Sequence, residues 1–220
     1  MQRQWSAVRV LLVFFGLAAA AGSGAAEVDP PSRVARLGYL AGPVSHAPAG
    51  DEQWGPAEYN RPLTTGDRLW ADAGARAELQ TGTAAVRLDA ETGVAVLNLD
   101  DRITQLQLTQ GTLNVRVLHL EAGETFEIDT PNLAFVLREP GAFRIEVDPE
   151  GQATTIAVRE GRGDAYGDGV AYVIDSSDAY RFTGTDLRGF ERVDRRLRDD
   201  FDLWADERDR SYANSVSARY

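Results

Sequence analysis

Phe143-Arg144-Ile145-Glu146-Val147-Asp148, followed by Pro149-Glu150-Gly151 and then Thr154-Thr155-Ile156-Ala157-Val158-Arg159, is the stretch that decides the fold class. In the first six residues apolar and charged side chains alternate, the period-2 pattern of a strand with one buried face. The second six answer with the same alternation. Between them Pro149 fixes φ at the second position of a four-residue turn, and Gly151 suits the fourth position of a type I turn. The stretch therefore predicts a β-hairpin.

The same grammar extends outward in both directions. From Val34 to about Phe182, segments of five to eight residues alternate in polarity and are punctuated by Gly, Asp, Asn and Pro. Ile103 to Thr109 and Leu113 to Leu120 predict a second strand pair, with Gly111 at the reversal. No helical periodicity of 3.6 enters this region. Leu79-Gln80-Thr81-Gly82-Thr83-Ala84-Ala85-Val86-Arg87-Leu88 matches Leu108-Thr109-Gln110-Gly111-Thr112-Leu113-Asn114-Val115-Arg116-Val117, and looser copies begin at Pro140 and Gly169. The glycines 82, 111, 141 and 169 lie 29, 30 and 28 residues apart. That spacing predicts one hairpin unit stacked several times, with a tight reversal at each Gly. The expected fold is all-β: stacked β-hairpin repeats, solenoid or sandwich-like, followed by one C-terminal amphipathic helix.

The helix is read from Asp194 to Arg210, where Leu197, Phe201 and Trp204 recur at i, i+4 and i+7. Asp199 or Asp200 is the candidate cap, and Arg195–Asp199 and Asp206–Arg210 are opposite-charge i,i+4 pairs. The apolar stripe is narrow, as in a helix that docks on a β domain or on a partner.

Composition removes whole classes of chemistry. Of 220 residues, 34 are Asp or Glu and 23 are basic, for a formal charge of −11; every basic residue is Arg, and there is no Cys. No disulfide framework, zinc knuckle, thiol nucleophile, Schiff-base lysine or Walker lysine can be built from this set. An acidic chain with scattered Arg lacks the basic footprint of a nucleic-acid binder.

The first 26 residues read as a secretory signal. Arg3 and Arg9 form a positive n-region, Val10 to Ala21 form an apolar run of 12 residues, and small residues lead to a cleavage site after Ala26. A spanning helix needs about 20 apolar residues, so the run is read as a signal and not as an anchor. Without a Cys after it, lipidation is excluded. Cleavage would remove two Arg and no acid, so the mature chain is more acidic still. The expected organisation is a signal peptide at 1–26, a leader at 27–33, a β domain at 34–186, a helix at 194–212 and a loose tail at 213–220. The location expected is periplasmic or secreted, with no stable membrane insertion after cleavage.

The β region resembles a FecR-type domain. The resemblance rests on Pro62-Leu63-Thr64-Thr65-Gly66-Asp67-Arg68-Leu69, then Ala75-Arg76-Ala77-Glu78-Leu79 and Gly82-Thr83-Ala84-Ala85-Val86-Arg87-Leu88. It continues through Gln110-Gly111-Thr112-Leu113-Asn114-Val115 and Phe126-Glu127-Ile128-Asp129-Thr130-Pro131, and ends at Val158-Arg159-Glu160-Gly161. It implies stacked β-hairpins outside the cytoplasmic membrane. Familiar members are membrane-anchored anti-sigma regulators with a cytoplasmic segment and one spanning helix, whereas this chain opens with a signal peptide. It is more similar to a secreted branch that adds the segment from Asp200-Phe201-Asp202-Leu203-Trp204 to Ser217-Ala218-Arg219-Tyr220, a branch in which the chain continues past that point.

The residues that could build a catalytic or metal site are scattered along the chain. His46 and His119 lie 73 residues apart without companion ligands and read as solvent-facing strand histidines. Asp164-Ala165-Tyr166-Gly167-Asp168-Gly169 lacks the alternating acids of a calcium loop and reads as a turn. No Ser sits in a G-x-S-x-G elbow. The Arg162-Gly163-Asp164 tripeptide reads as a chance match. Acid pairs abound, but no motif sets one in an apolar pocket that would raise its pKa. Neither catalytic residues, metal ligands nor a cofactor are expected. The candidate surface contacts are Trp54, Tyr59, Trp70, Phe201 and Trp204: the first three flank the loop 55–67 as a possible glycan platform or as edge packing. The expected function is an exported, non-enzymatic FecR-like binding or scaffold domain of the bacterial cell envelope, with an envelope protein or polysaccharide as partner. The alternatives are a periplasmic signalling adaptor of a FecR-type system, whose Phe201–Trp204 helix docks on a partner, and a carboxylate-dependent glycan hydrolase.

Overall fold

Ile103–Val117 forms a single strand of 15 residues with Gly111 at φ 91° in its middle, and the architecture turns on that bend. The computed structural model describes residues 33–194 and 198–215; the expected signal peptide, most of the leader and the end of the tail lie outside them. In chain order the strands are β1 (Ala35–Ala41), β2 (Val44–Ala47), β3 (Gly55–Pro56), β4 (Pro62–Leu63), β5 (Arg68–Ala71), β6 (Arg76–Thr81), β7 (Ala84–Leu88), β8 (Thr92–Leu99) and β9 (Ile103–Val117). They continue as β10 (Thr125–Asp129), β11 (Ala134–Leu137), β12 (Gly141–Val147), β13 (Ala153–Glu160), β14 (Arg162–Gly167), β15 (Val170–Asp175), β16 (Ala179–Thr183) and β17 (Gly189–Arg192), and one helix follows, α1 (Asp200–Ala213).

Two layers result, and β9 belongs to both. Sheet A runs β4-β1-β6-β7-β9-β12-β13-β16-β17, and sheet B runs β3-β2-β5-β8-β9-β10-β11-β14-β15. All pairings are antiparallel except β9–β10, where the chain returns over residues 118–124 to lie parallel to the start of β9. Residues 104–110 of β9 pair with β8 in sheet B, while 113–117 pair with β7 and β12 in sheet A. A strand that passes between packed sheets needs a sharp local bend. Gly111 supplies it, since a Cβ there would collide with Thr92 and with the Glu91 carbonyl.

This corrects two expectations. Gly111 is not a reversal between two strands but a bend within one. The four evenly spaced glycines also take three different roles. Gly82 and Gly169 sit in hairpin turns at positive φ, Gly111 bends β9, and Gly141 lies inside β12 where a Cβ would strike the Glu160 carbonyl. The two best-matching copies consequently fold differently, one as the β6–β7 hairpin and one as the bent β9, and then pair with each other through β7 and β9. Sequence similarity at a fixed spacing did not produce one repeated unit.

The decisive hairpin is as read. β12 pairs with β13 from Val147↔Thr154 to Phe143↔Val158, and the turn closes with Gly151 N–H donating to the Asp148 carbonyl at 2.9 Å. The inward residues of both sheets form one apolar core: Leu79, Val86, Leu88, Leu113, Phe143, Ile145 and Ile156 from sheet A meet Leu69, Leu106, Leu108, Ile128 and Phe135 from sheet B. Phe135 and Phe143 meet edge to face across the layers, with centroids 5.9 Å apart. Each such fully buried side chain contributes about 1.5–3 kcal/mol through water exclusion.

Strand structure extends past the expected boundary at 186, because β17 pairs with β16 as far as Arg192. The helix was expected from Asp194, yet Arg198 and Asp199 are not helical. Asp199 is extended (φ −104°, ψ −178°) and its carboxylate accepts from the Asp202 N–H at 2.9 Å, while Asp202 accepts from the Asp199 N–H, a capping box that starts the helix at Asp200. Leu197 lies outside the described residues.

Candidate interaction surface

Strand alternation sends one set of side chains out of sheet A, away from the core. On the central strands this set is not the usual mixture of small polar residues. Arg76 and Glu78 come from β6, Arg87 from β7, Asn114 and Arg116 from β9, Arg144 from β12 and Arg159 from β13. Register aligns several in one row across the sheet: Tyr39, Glu78, Arg87, Asn114, Arg144 and Ala157 are successive cross-strand partners. Opposite charges at directly paired positions favour such a row.

The helix α1 lies over this row. At its N-terminal end the Asp202 carboxylate is 2.5 Å from Arg159 Nη2 and 3.1 Å from Arg144 Nη1, and accepts from Asn114 Nδ2 at 2.9 Å. Arg144 also reaches Asp199 at 2.8 Å. At its C-terminal end Arg208 donates to Glu78 at 2.7 Å, and Arg87 bridges Glu78 (2.8 Å) and Asp209 (2.6 Å). Between these clusters Phe201 and Trp204 stack with centroids 5.8 Å apart, Arg76 lies over both rings, and Trp204 also meets Tyr39. Arg208 completes the contact over Tyr39.

The electrostatics follow from burial and pairing together. Burial would raise the Glu78 carboxyl, but the hydrogen bonds from Arg208 and Arg87 outweigh it and hold the group below its usual range. Asp202 is likewise lowered: burial opposes, while Arg159 and Arg144 prevail. Arg144 pays for its desolvation but is raised by Asp202 and Asp199. Arg208 is raised through Glu78. At neutral pH all these groups are charged, and they hold α1 by ion pairs at both ends.

The five candidate contact residues do not form one surface. Phe201 is fully buried between α1 and sheet A, so it anchors the helix and offers nothing to a partner while the helix is in place. Trp204 is half-buried on the same seam. Trp54 is exposed with Arg68 over its ring, and Tyr59 is exposed on the following loop. Trp70 is half-buried, packs over Gly93 on the neighbouring strand and donates to Asp72 at 2.8 Å.

His46 also departs from expectation. It is buried, not solvent-facing, with Nε2 3.5 Å from Asp67 Oδ1. Burial and the Arg61 charge push it below its ordinary value, against the pull of Asp67. His119 is exposed beside Glu121. Arg162-Gly163-Asp164 is extended in β14 with Gly163 packed against Phe135, not displayed on a loop. Asp168 accepts from Thr185 at the β14–β15 turn. Among the described residues no group of three His, Asp or Glu side chains is placed to hold a metal ion. Among the described residues, Glu127 with Asp129 on β10 is an acid pair with a raised member; burial and then Asp129 push Glu127 up, and Gln105 Nε2 donates to both carboxylates at 2.9 Å.

The polar face under α1 went unread as a site in the sequence. Its signal was present, in Arg at outward positions of several central strands, but only register shows that these positions align.

The FecR protein family matches residues 67–162. Residues 67–162 are thus the FecR-like segment of the chain. It runs from Asp67, just before β5, to the first residue of β14 and contains every sheet residue named above that grips α1 by an ion pair. The helix itself lies outside the matched segment. No curated protein matches the sequence. Two crystal structures of a "putative anti-sigma factor" from Parabacteroides distasonis ATCC 8503 are similar at 13% and 14% identity, each with a TM-score of 0.48. The alignments cover 58% of this chain and 59% of those chains, so less than two thirds of their length is spanned. Among the described residues no helix is long and apolar enough to cross a membrane.

Proposed function

We propose that this chain is an exported, non-enzymatic binding module of a FecR-type regulatory system in the bacterial cell envelope, and that it takes a protein partner. The observation that carries the reading is the FecR domain's outer face: a row of Arg, Glu and Asn on central strands that holds a helix by ion pairs. A row of charges in that position is costly to desolvate and is poorly explained by stability alone. It suits recognition, where charge arrangement fixes register and partner. The signal peptide read at residues 1–26 supports export. The exposed Trp54 and Tyr59 are the side chains that would serve a polysaccharide instead.

The full chain, expressed in a bacterium with its natural N-terminus, tests this reading. Processing after Ala26 and recovery of the shortened chain from the periplasm or medium are expected; an unprocessed cytoplasmic chain overturns export. Immobilised mature protein should enrich an envelope protein that elutes with salt, and should not retain peptidoglycan or polysaccharide. Turnover on a glycan panel, lost on substitution of one carboxylate, would overturn the non-enzymatic reading.

A further inference from the structure

The contact between α1 and sheet A has the properties of a bound ligand more than those of a core. Of the helix, only Phe201, Asp202 and Ala205 are buried, and neither apolar member joins the main hydrophobic cluster between the sheets. A 14-residue helix with few apolar side chains does not hold its shape alone in water. Its order therefore depends on the dock, and such peripheral elements open separately from the core.

Charge is segregated across this contact except at Glu78, a sheet carboxylate that Arg208 of the helix meets at 2.7 Å. The chain carries −11 overall, yet Arg76, Arg87, Arg116, Arg144 and Arg159 gather on this one face. The helix and its cap bring Asp199, Asp200, Asp202, Asp206, Glu207 and Asp209 against Arg208 and Arg210. The acidic element covers the basic face. Beyond the C-terminal half of α1 the same face continues into an open groove of 660 Å³, where Arg116 and Leu118 lie alongside Arg208 and Tyr212. Arg116 pairs there with exposed Glu160 and with no residue of α1 among the contacts that hold the helix. An incoming segment can thus engage the face before α1 leaves.

We infer that the outer face of sheet A is a receptor for an acidic amphipathic helix, that α1 occupies it in cis, and that a partner helix of the same chemistry binds by displacing α1. The partner's pattern is the one α1 shows: carboxylates at the cap and three residues later, aromatics at the second and fifth helical positions, and an Arg-Asp pair one to two turns beyond. The inference rests on the protein-binding reading and names its partner and its regulation. Because the binding-competent face is covered, apparent affinity in trans is reduced by the fraction of molecules with α1 in place.

The test uses the full chain and a fluorescent synthetic peptide of residues 198–215. Asp202→Arg places a cation against Arg144 and Arg159 and ejects α1 without touching the inter-sheet core. The peptide is expected to bind this variant at least about tenfold more tightly than wild type, with affinity falling as salt rises. The same peptide carrying Asp202→Arg should bind neither protein. Failure of the natural peptide to bind a folded D202R chain overturns the inference, as does equal binding by the reversed-charge peptide. Should D202R fail to fold, the pair Asp202→Asn and Asp209→Asn gives the milder release and the same comparison. Hydrogen exchange on wild type is an independent readout: α1 amides should exchange far faster than those of β12 and β13, and equal protection overturns exchangeability. An envelope partner retained equally by wild type and D202R would leave the binding-module reading intact and remove this face from it. Peptide exchange with no envelope partner would do the reverse.

Discussion

Arg87 Nε donates to Glu78 Oε2 at 2.8 Å, and both side chains are only 3% exposed although both point away from the core. Directly opposite on β6 and β7, they are sealed from water by α1, which adds Arg208 to Glu78 and Asp209 to Arg87. Removing one member of a buried ion pair leaves its partner uncompensated, at a cost of about 3–5 kcal/mol. Arg87→Met should approach the lower end of that range, because Arg208 still serves Glu78. The double change Glu78→Leu with Arg87→Met should be less destabilised than Arg87→Met alone. Urea denaturation of the three variants checks the ordering; a double variant no better than the single contradicts it.

Acid should release the helix before it unfolds the sheets. Glu78 and Asp202 are held below their usual ranges in the folded protein. Their contribution is complete above the unfolded values of about 4.3 and 3.9, and it is lost as pH falls through the lower folded values. Trp204 fluorescence should therefore change in that acid window while the far-ultraviolet β signal persists. Asp202→Asn should remove part of the pH dependence. A single coincident transition by both probes would show that α1 and the sheets are one cooperative unit.

Glu127 carries the opposite sign. Burial and neighbouring Asp129 raise it, so its ionised form is disfavoured in the fold. Its favourable contribution is present below the unfolded value of about 4.3 and lost as pH rises through the raised folded value. Glu127→Gln should consequently stabilise the fold at neutral pH by less than about 1 kcal/mol, given solvent screening of a half-exposed group, and so raise the melting temperature. The gain should vanish near pH 4. Thermal melts at the two pH values decide it.

Gly111 and Gly169 both have positive φ, yet their surroundings differ. A Cβ at 169 meets open space, whereas one at 111 meets Thr92 and the Glu91 carbonyl. Gly169→Ala should cost about 1–2 kcal/mol, the left-handed backbone penalty alone. Gly111→Ala should cost at least twice that, because the clash falls on the strand that joins the two sheets. Equal costs in denaturant unfolding would mean the bend at 111 relaxes freely.

Much of the fold was legible because its cause is local. Alternation in 143–148 and 154–159 specifies a strand with one buried face, and Pro149 and Gly151 specify the turn between them. The narrow stripe containing Phe201 and Trp204 specifies an amphipathic helix. Its start is not legible from periodicity, which begins at Leu197, because the capping box of Asp199 and Asp202 sets the first helical residue at Asp200. Gly111 is ambiguous in sequence for a related reason: a positive-φ glycine serves a reversal or a bend equally well, and only the partners on either side distinguish them.

The β-rich class, the C-terminal helix, the FecR-type motifs and the exclusion of thiol and lysine chemistry can all be read from the chain alone, because residue type, short-range alternation and turn geometry act within a few residues. The tertiary structure alone decided that β9 belongs to both sheets, that His46 and Phe201 are buried, and that Glu78, Arg87, Asn114 and Arg144 stand in one row beneath α1. Those facts depend on register and packing between segments as much as 130 residues apart, as in Arg208 and Glu78, and no local pattern encodes which distant strand will lie alongside.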